Sequence, residues 1–164
     1  MPTTSARTSE QPAVDITTGA YRVVSTVLKV QTDEREELHN LTSTVRDFVR
    51  KSGIRAGAVM VSSMHTTSAI FINEWQDALL HDAKAYLASA IGKDSYYRHN
   101  DPAWSDCDRH NADSHLRSMM LGASLAVQVA EGDVVLGEWQ SIIMAEFDGP
   151  RERLVRIQAM GVGV

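Results

Sequence analysis

The chain has 164 residues, with 16 Lys and Arg against 21 Asp and Glu, and a formal net charge of −5 at pH 7. This length suits one domain with a real core, and the acidic balance without a basic block argues against a nucleic-acid partner. A single cysteine, Cys107, excludes an intrachain disulfide and favours a reducing, cytoplasmic location. No apolar run approaches the roughly 20 residues that span a bilayer, so no membrane partner is predicted.

The N-terminal half predicts a leader followed by alternating strands and helices. Residues 1–19, rich in Ser, Thr and Pro, predict a disordered lead, and residues 20–164 predict a single domain. Apolar side chains at three- and four-residue spacing predict a helix that begins near residue 32 or 33, continues to 51 and is ended by Gly53. Strands are predicted at residues 21–30, 56–64 and 68–72, and a second helix at 75–91.

The C-terminal half predicts a long loop, a short helix and several closely spaced strands. Residues 93–110 are polar and contain a proline, which predicts a long ordered loop of the kind that often serves function. A short helix is predicted from Ala112 to Leu121, ending at Gly122. Close spacing implies antiparallel meanders, so the fold class is α+β, with two longer helices and one short helix on an antiparallel or mixed sheet. The remaining strands are predicted at residues 124–129, 133–136, 139–147 and 153–160.

Three histidines, His65, His99 and His115, lie in separate polar segments. His65 follows a strand, which fixes its position, and His115 falls in the first turn of the short helix, where the helix dipole favours a neutral ring. Three neutral imidazoles that meet can hold one divalent metal and leave coordination positions open. Each also has a structural alternative: a ring bonded to the backbone for His65, an exposed loop residue for His99 and a half-buried helix residue for His115.

Three other residues are candidates for the site, and each also has a purely structural interpretation. Glu74 is a candidate general acid or base, or else an early acidic residue of the next helix. Trp139 is predicted within a strand, as a stacking platform for a flat ligand or, by default, as a core aromatic. Arg151 follows a turn and is a secondary candidate for a phosphate clamp. No P-loop, G-x-G-x-x-G or serine nucleophile elbow is present, so common nucleotide and hydrolase machinery is not indicated.

Six short segments in order give the chain a specific resemblance. Taken together over roughly residues 20–161, they make it similar to the secondary thiamine-phosphate synthase family, which is YjbQ-like. The family's usual aspartate–proline pair after Asn-Glu is missing here. The segments are His65-Thr66-Thr67, Asn73-Glu74, Tyr97-Arg98-His99-Asn100, Ser114-His115-Leu116, Leu121-Gly122-Ala123-Ser124-Leu125 and Leu136-Gly137-Glu138-Trp139-Gln140.

This resemblance implies an α+β subunit that forms a homotrimer, with a pocket near the histidines. It also implies a transferase that joins a pyrimidine diphosphate to a thiazole phosphate, giving thiamine phosphate and pyrophosphate. The expected metal ligands are His65, His99 and His115, and the expected catalytic residues are His65, Glu74 and His115. The expected substrate-binding residues are Thr66, Thr67, Asn73, Asn100, Ser114, Trp139 and Gln140.

The sequence leaves open both the identity of the metal and the reaction. Three imidazoles favour zinc or a similar ion, whereas magnesium prefers oxygen ligands and would arrive with the substrate, leaving the histidines as hydrogen-bond donors. Two other functions fit the same residues. One is a non-catalytic trimer that binds a small phosphorylated metabolite, and the other is a metal-assisted hydrolase of small esters.

Overall fold

Two antiparallel β-sheets form the framework of the computed structural model, which describes residues 16–163. In chain order the elements are β1 (Ala20–Gln31), β2 (Glu37–Asn40), α1 (Thr42–Ser52), β3 (Ile54–Ser63), β4 (Ser68–Asn73), α2 (Asp77–Ala90), a 3-10 helix (Arg98–Asn100), α3 (Ala112–Leu121), β5 (Ser124–Ala130), β6 (Asp133–Val134), β7 (Ser141–Glu146) and β8 (Glu152–Gly163). One sheet has the strand order β1-β8-β3-β5-β6, and the other has the order β2-β7-β4.

The three-stranded sheet lies in the middle of the molecule. Alternate side chains of β7 point to opposite faces, as a strand requires. Ile142 and Met144 pack into the larger core, against the five-stranded sheet and α1. Ala145 and Phe147 pack on the other side, with Leu87 of α2. The molecule therefore has three layers, and β7 is covered on both faces.

The predicted α+β class is confirmed, with three helices and antiparallel sheets. The strands divide into two sheets rather than one. Most of the predicted lead, residues 1–19, lies outside the described residues, while residues 16–19 have no regular secondary structure. No helix within the described range has the length and apolar content needed to cross a lipid bilayer.

The first helix begins later than its sequence pattern predicts. Residues 37–40 form β2 and pair with β7, from Glu37 opposite Glu146 to Asn40 opposite Ile143. Leu38 packs against the smaller core and Leu41 belongs to the larger one, so their helical spacing is coincidental. The helix ends at Gly53, as predicted, in a left-handed conformation with φ 73°.

The strand predicted at residues 139–147 also begins later, at Ser141. Trp139 and Gln140 lie in the preceding turn, which the Gln140 side chain closes by accepting a 2.8 Å hydrogen bond from the Gly137 N–H. Trp139 is 68% exposed, so its default interpretation as a core aromatic was wrong. The short helix has its predicted bounds.

Candidate functional site

A cleft of about 390 Å³ opens at one end of the three-stranded sheet. Five chain segments meet there: the β3–β4 connection, the 3-10 helix, the loop that leads into α3, the start of α3, and the β7–β8 turn with the start of β8. The cleft is lined by Met64, His65, Thr66, Thr67, His99, Cys107, Arg109, Asn111, His115, Asp148, Arg151 and Arg153. All three of the favoured histidines therefore border one cavity.

A buried carboxylate, Asp148, organises the charged wall of this cleft. Its side chain is 3% exposed and accepts hydrogen bonds from Arg109 Nε at 3.0 Å and Asn111 Nδ2 at 2.8 Å. Arg151 Nη2 lies 3.1 Å from the same carboxylate. Arg35 Nη1 lies 3.8 Å from the other oxygen of this carboxylate. Of the three guanidinium groups around Asp148, those of Arg109 and Arg151 line the cleft. Such preorganised charge is suited to an incoming anion.

A second ion pair, fully buried, supports the floor of the cleft. Arg153 is 1% exposed and donates to both carboxylate oxygens of Glu146, which is 0% exposed. It also donates to the Thr67 hydroxyl at 2.8 Å. Glu146 Oε1 accepts the N–H groups of Phe147 and Asp148, at 2.9 and 2.7 Å. The pair therefore fixes the start of the turn that carries Asp148.

His65 is held as a neutral ring. Its Nε2 accepts the N–H of Leu154 at 2.9 Å, which places the ring proton on Nδ1. Burial lowers the pKa of His65 below its usual range, and the charge of Arg153 lowers it further, against the opposing effect of Glu146. The Nδ1–H group is a hydrogen-bond donor.

His99 and His115 form an aromatic pair at the edge of the same cleft. Their ring centroids are 5.0 Å apart and the rings meet edge to face. The pKa of His115 is lowered by burial and by the neighbouring His99, which together outweigh the carboxylates of Asp148 and Asp113 and the Thr66 backbone. His115 is therefore uncharged at neutral pH.

Acidification from pH 7.0 to 5.5 is expected to destabilise the wild-type protein more than His65→Gln. The folded-state pKa of His65 lies below the ordinary 6.5, so the unfolded chain takes up the proton first. The contribution of the neutral ring is complete above pH 6.5 and is lost as the pH falls below it. Urea denaturation at both pH values measures this, with His81→Gln as control, since the His81 side chain is 81% exposed. An equal loss in wild type and His65→Gln would refute it.

The histidines do not fit one metal ion in this arrangement. Within residues 16–163, no three His, Cys, Asp or Glu side chains are placed to share an ion. The Nε2 lone pair of His65 already accepts the Leu154 N–H, and metal binding through Nδ1 would turn an N–H at Nε2 toward that donor. This arrangement therefore gives no support to His65, His99 and His115 as the ligands of one metal ion.

Four of the predicted site residues lie away from the cleft. β4 starts beside it at Ser68 and extends to Asn73, five residues or roughly 17 Å along the strand. Asn73 pairs with Ser141, so the turn that contains Trp139 and Gln140 is at this far end as well. Glu74 follows Asn73 directly. In the described chain, these residues do not join the histidines.

Glu74 also lacks the helix-capping role that was its alternative. The N-cap of α2 is Gln76, whose Oε1 accepts the Leu79 N–H at 2.7 Å. The Glu74 N–H donates to Asn73 Oδ1 at 2.9 Å. Glu74 therefore precedes the helix, and nothing in these contacts gives it a partner in the cleft.

Three further predicted residues serve the walls of the site. Ser114 is fully buried and donates to the Phe147 carbonyl at 2.6 Å. Asn100 Oδ1 accepts the Ala112 N–H at 3.0 Å, which ties the 3-10 helix to the start of α3. Thr67 accepts from Arg153, so it supports the floor. Thr66 is exposed and borders the open cleft.

Sequence reasoning missed Arg109, Asp148, Arg153 and Glu146 as parts of the site, and ranked Arg151 as secondary. One signal was present: a glutamate inside the apolar run of residues 142–147 must have a partner when that strand is buried. Arg109 gives no comparable local signal, because its carboxylate partner is 39 residues away in the chain.

Comparison with known proteins gives one family. Residues 26–162 match the model described as UPF0047 protein YjbQ-like. A UPF0047 protein of Methanothermobacter thermautotrophicus is 45% identical over 134 residues, which cover 82% of this chain and 90% of that protein. The UPF0047 protein YugU of Bacillus subtilis is 37% identical over 137 residues, covering 82% and 97% respectively.

The fold is also similar to that of a solved structure of a YbjQ-like protein. The crystal structure of a YbjQ-like protein of unknown function from Sulfolobus solfataricus P2 superposes with a TM-score of 0.81 at 32% identity. The superposition covers 87% of this chain and 99% of that one. These likenesses leave the thiamine-phosphate synthase activity as a proposal. They show that the chain belongs to the YjbQ-like UPF0047 family.

Proposed function

We propose that the cleft binds the anionic group of a small phosphorylated molecule and promotes its reaction. The observation that carries this proposal is the placement of Arg109 and Arg151 on one buried carboxylate, Asp148. Within residues 16–163, neither Arg109 Nη1 nor Arg151 Nη1 hydrogen-bonds to another residue, since the contacts of these side chains are made by Nε and Nη2 of Arg109 and Nη2 of Arg151. Each arginine therefore keeps a donor for phosphate oxygens while its position is fixed by Asp148.

The finer proposal is thiamine phosphate synthesis, supported by the resemblance of the ordered polar segments. In this reaction the bond from the pyrimidine methylene carbon to a diphosphate oxygen breaks, and pyrophosphate leaves with the electron pair. The lone pair of the thiazole nitrogen forms the new bond to that carbon. Because this nitrogen carries no proton, the step needs no general base, and the remote position of Glu74 is compatible with it.

In this reaction the chain's own groups stabilise the leaving pyrophosphate. Arg109 and Arg151 bind its oxygens, and the Nδ1–H of His65 donates a further hydrogen bond. His115, as a neutral ring at the edge of the cleft, is placed to orient the substrate. A magnesium ion that arrives with the diphosphate stays a prediction, as do the homotrimer and the cytoplasmic location.

Turnover of the purified protein tests this proposal. With a pyrimidine diphosphate and a thiazole phosphate as substrates, we expect thiamine phosphate and pyrophosphate in equal amounts. His115→Ala should lower the rate by about 100-fold, the scale of a single positioned catalytic group. The matched control is His81→Ala on the exposed face of α2, which should keep the full rate.

A second candidate is a binding protein without catalysis, which the remote position of Glu74 fits equally well. The one carboxylate predicted to act as an acid or base, Glu74, lies at the far end of β4, outside the cleft. Under this alternative, phosphorylated ligands bind but the turnover is negligible and unchanged by His115→Ala. The third candidate, a metal-assisted hydrolase, depends on the three-histidine set that does not fit.

A further inference from the structure

A second cleft, of about 410 Å³, adjoins the anion site. It is lined by Tyr97, Arg98, His99, Ala112, His115 and Leu116. Two of these residues, His99 and His115, also line the first cleft, so the histidine pair is a wall common to both. A ligand that reaches past this pair contacts both surfaces.

The polar ends of two lining side chains, Tyr97 and Arg98, are engaged outside the cavity. The Tyr97 hydroxyl donates to the Gly92 carbonyl at 2.8 Å. The Arg98 guanidinium lies 4.5 Å from the centroid of the Trp104 ring, in a cation–π contact. What remains toward the cavity is largely carbon, from the tyrosine ring, the arginine stem, and Ala112 and Leu116 on one face of α3.

We propose that this second cleft binds an uncharged, flat body carried by the ligand whose phosphate occupies the first cleft. The ligand class is an aryl or heteroaryl phosphate ester. Aromatic rings of Tyr97, His99 and His115 border the cavity, and rings pack favourably against flat groups, edge to face or offset. The volume lies within the range of small-molecule sites. The inference rests on the proposed anion site, because the phosphate fixes which end of the ligand enters.

Calorimetric titration of the purified chain with inorganic phosphate, methyl phosphate and phenyl phosphate tests this inference. Phenyl phosphate should bind about tenfold more tightly than methyl phosphate, because its ring is removed from water when it enters the second cleft. Leu116→Gln and Tyr97→Ala should each remove most of that advantage, while the affinity for inorganic phosphate stays within about twofold. The control, Met119→Gln, changes an outward residue of the same helix that is 73% exposed, and should keep the advantage.

The outcomes separate this inference from the anion site itself. If all three ligands bind with equal affinity, or if the advantage of phenyl phosphate persists in both Leu116→Gln and Tyr97→Ala, the second cleft does not take the ligand body, although the anion site stands. If none of the three binds, both proposals fail. Near-ultraviolet circular dichroism of each variant checks that its tertiary structure is intact.

Discussion

Arg153→Met is expected to lower the free energy of unfolding by about 3–5 kcal/mol. The substitution leaves the carboxylate of Glu146, which is 0% exposed, without its cationic partner. The backbone N–H groups of Phe147 and Asp148 remain as donors, but they do not neutralise the charge. Thr67 also loses the donor to its hydroxyl. A buried charge with no counter-charge is among the most destabilising changes a single substitution makes.

Urea denaturation at pH 7 measures this effect against a control on the same strand. Arg156→Met removes an arginine from the exposed face of β8, where its contact with Ser25 is also exposed, and should cost less than about 0.5 kcal/mol. Adding Glu146→Gln to Arg153→Met removes the unpaired charge and should recover part of the loss. Equal, small losses for Arg153→Met and Arg156→Met would contradict the role of the buried pair.

The double substitution Arg109→Gln, Arg151→Gln is expected to weaken the binding of a phosphate ester by about 100-fold. A hydrogen bond to a charged group contributes about 1.5–3 kcal/mol, and every 1.4 kcal/mol is a factor of ten in affinity. Both side chains are partly exposed, so the low end of this range applies to each, and the two losses together give about 100-fold. The change also leaves Asp148 without two cationic partners, and its carboxylate then repels the anion.

The chain supplies a matched control for this double substitution. Arg46 and Arg50 share the carboxylate of Asp133, with N–O distances of 2.9 and 2.8 Å, at a position outside the cleft. Replacing both by Gln changes the net charge by the same amount. If calorimetric titration shows the same loss for both double variants, the effect comes from the overall charge, and the cleft is not the binding site.

Short-range patterns predicted most of the elements but not all of their boundaries. The bounds of α3 and the end of α1 at Gly53 follow from residues within the helix or beside it. The strand β2 could not be found in this way. Its four residues are held by pairing with β7, about a hundred residues later, and Leu38 matched the helical spacing of α1 by chance. Tertiary pairing overrode the local pattern.

The site was predicted only in part, because many of its contacts also join residues that are far apart in the chain. Each of the three histidines has a polar neighbourhood visible in the sequence, and all three border one cleft. Their hydrogen bonds were not visible: the Leu154 N–H that occupies His65 Nε2 is 89 residues away. Arg109 is also far along the chain from its partner Asp148, at a separation of 39 residues. The far position of Asn73 follows only from the direction in which β4 runs within the three-stranded sheet, where Asn73 pairs with Ser141.

A crystal structure of the protein soaked with a phosphate ester tests the central claim most directly. The account predicts phosphate density bounded by the free nitrogen atoms of Arg109 and Arg151 and by His65 Nδ1, with Asp148 still bound to both arginines. Density for the phosphate beside Asn73 and Gln140, at the opposite end of β4, with this cleft empty of ligand, would contradict it.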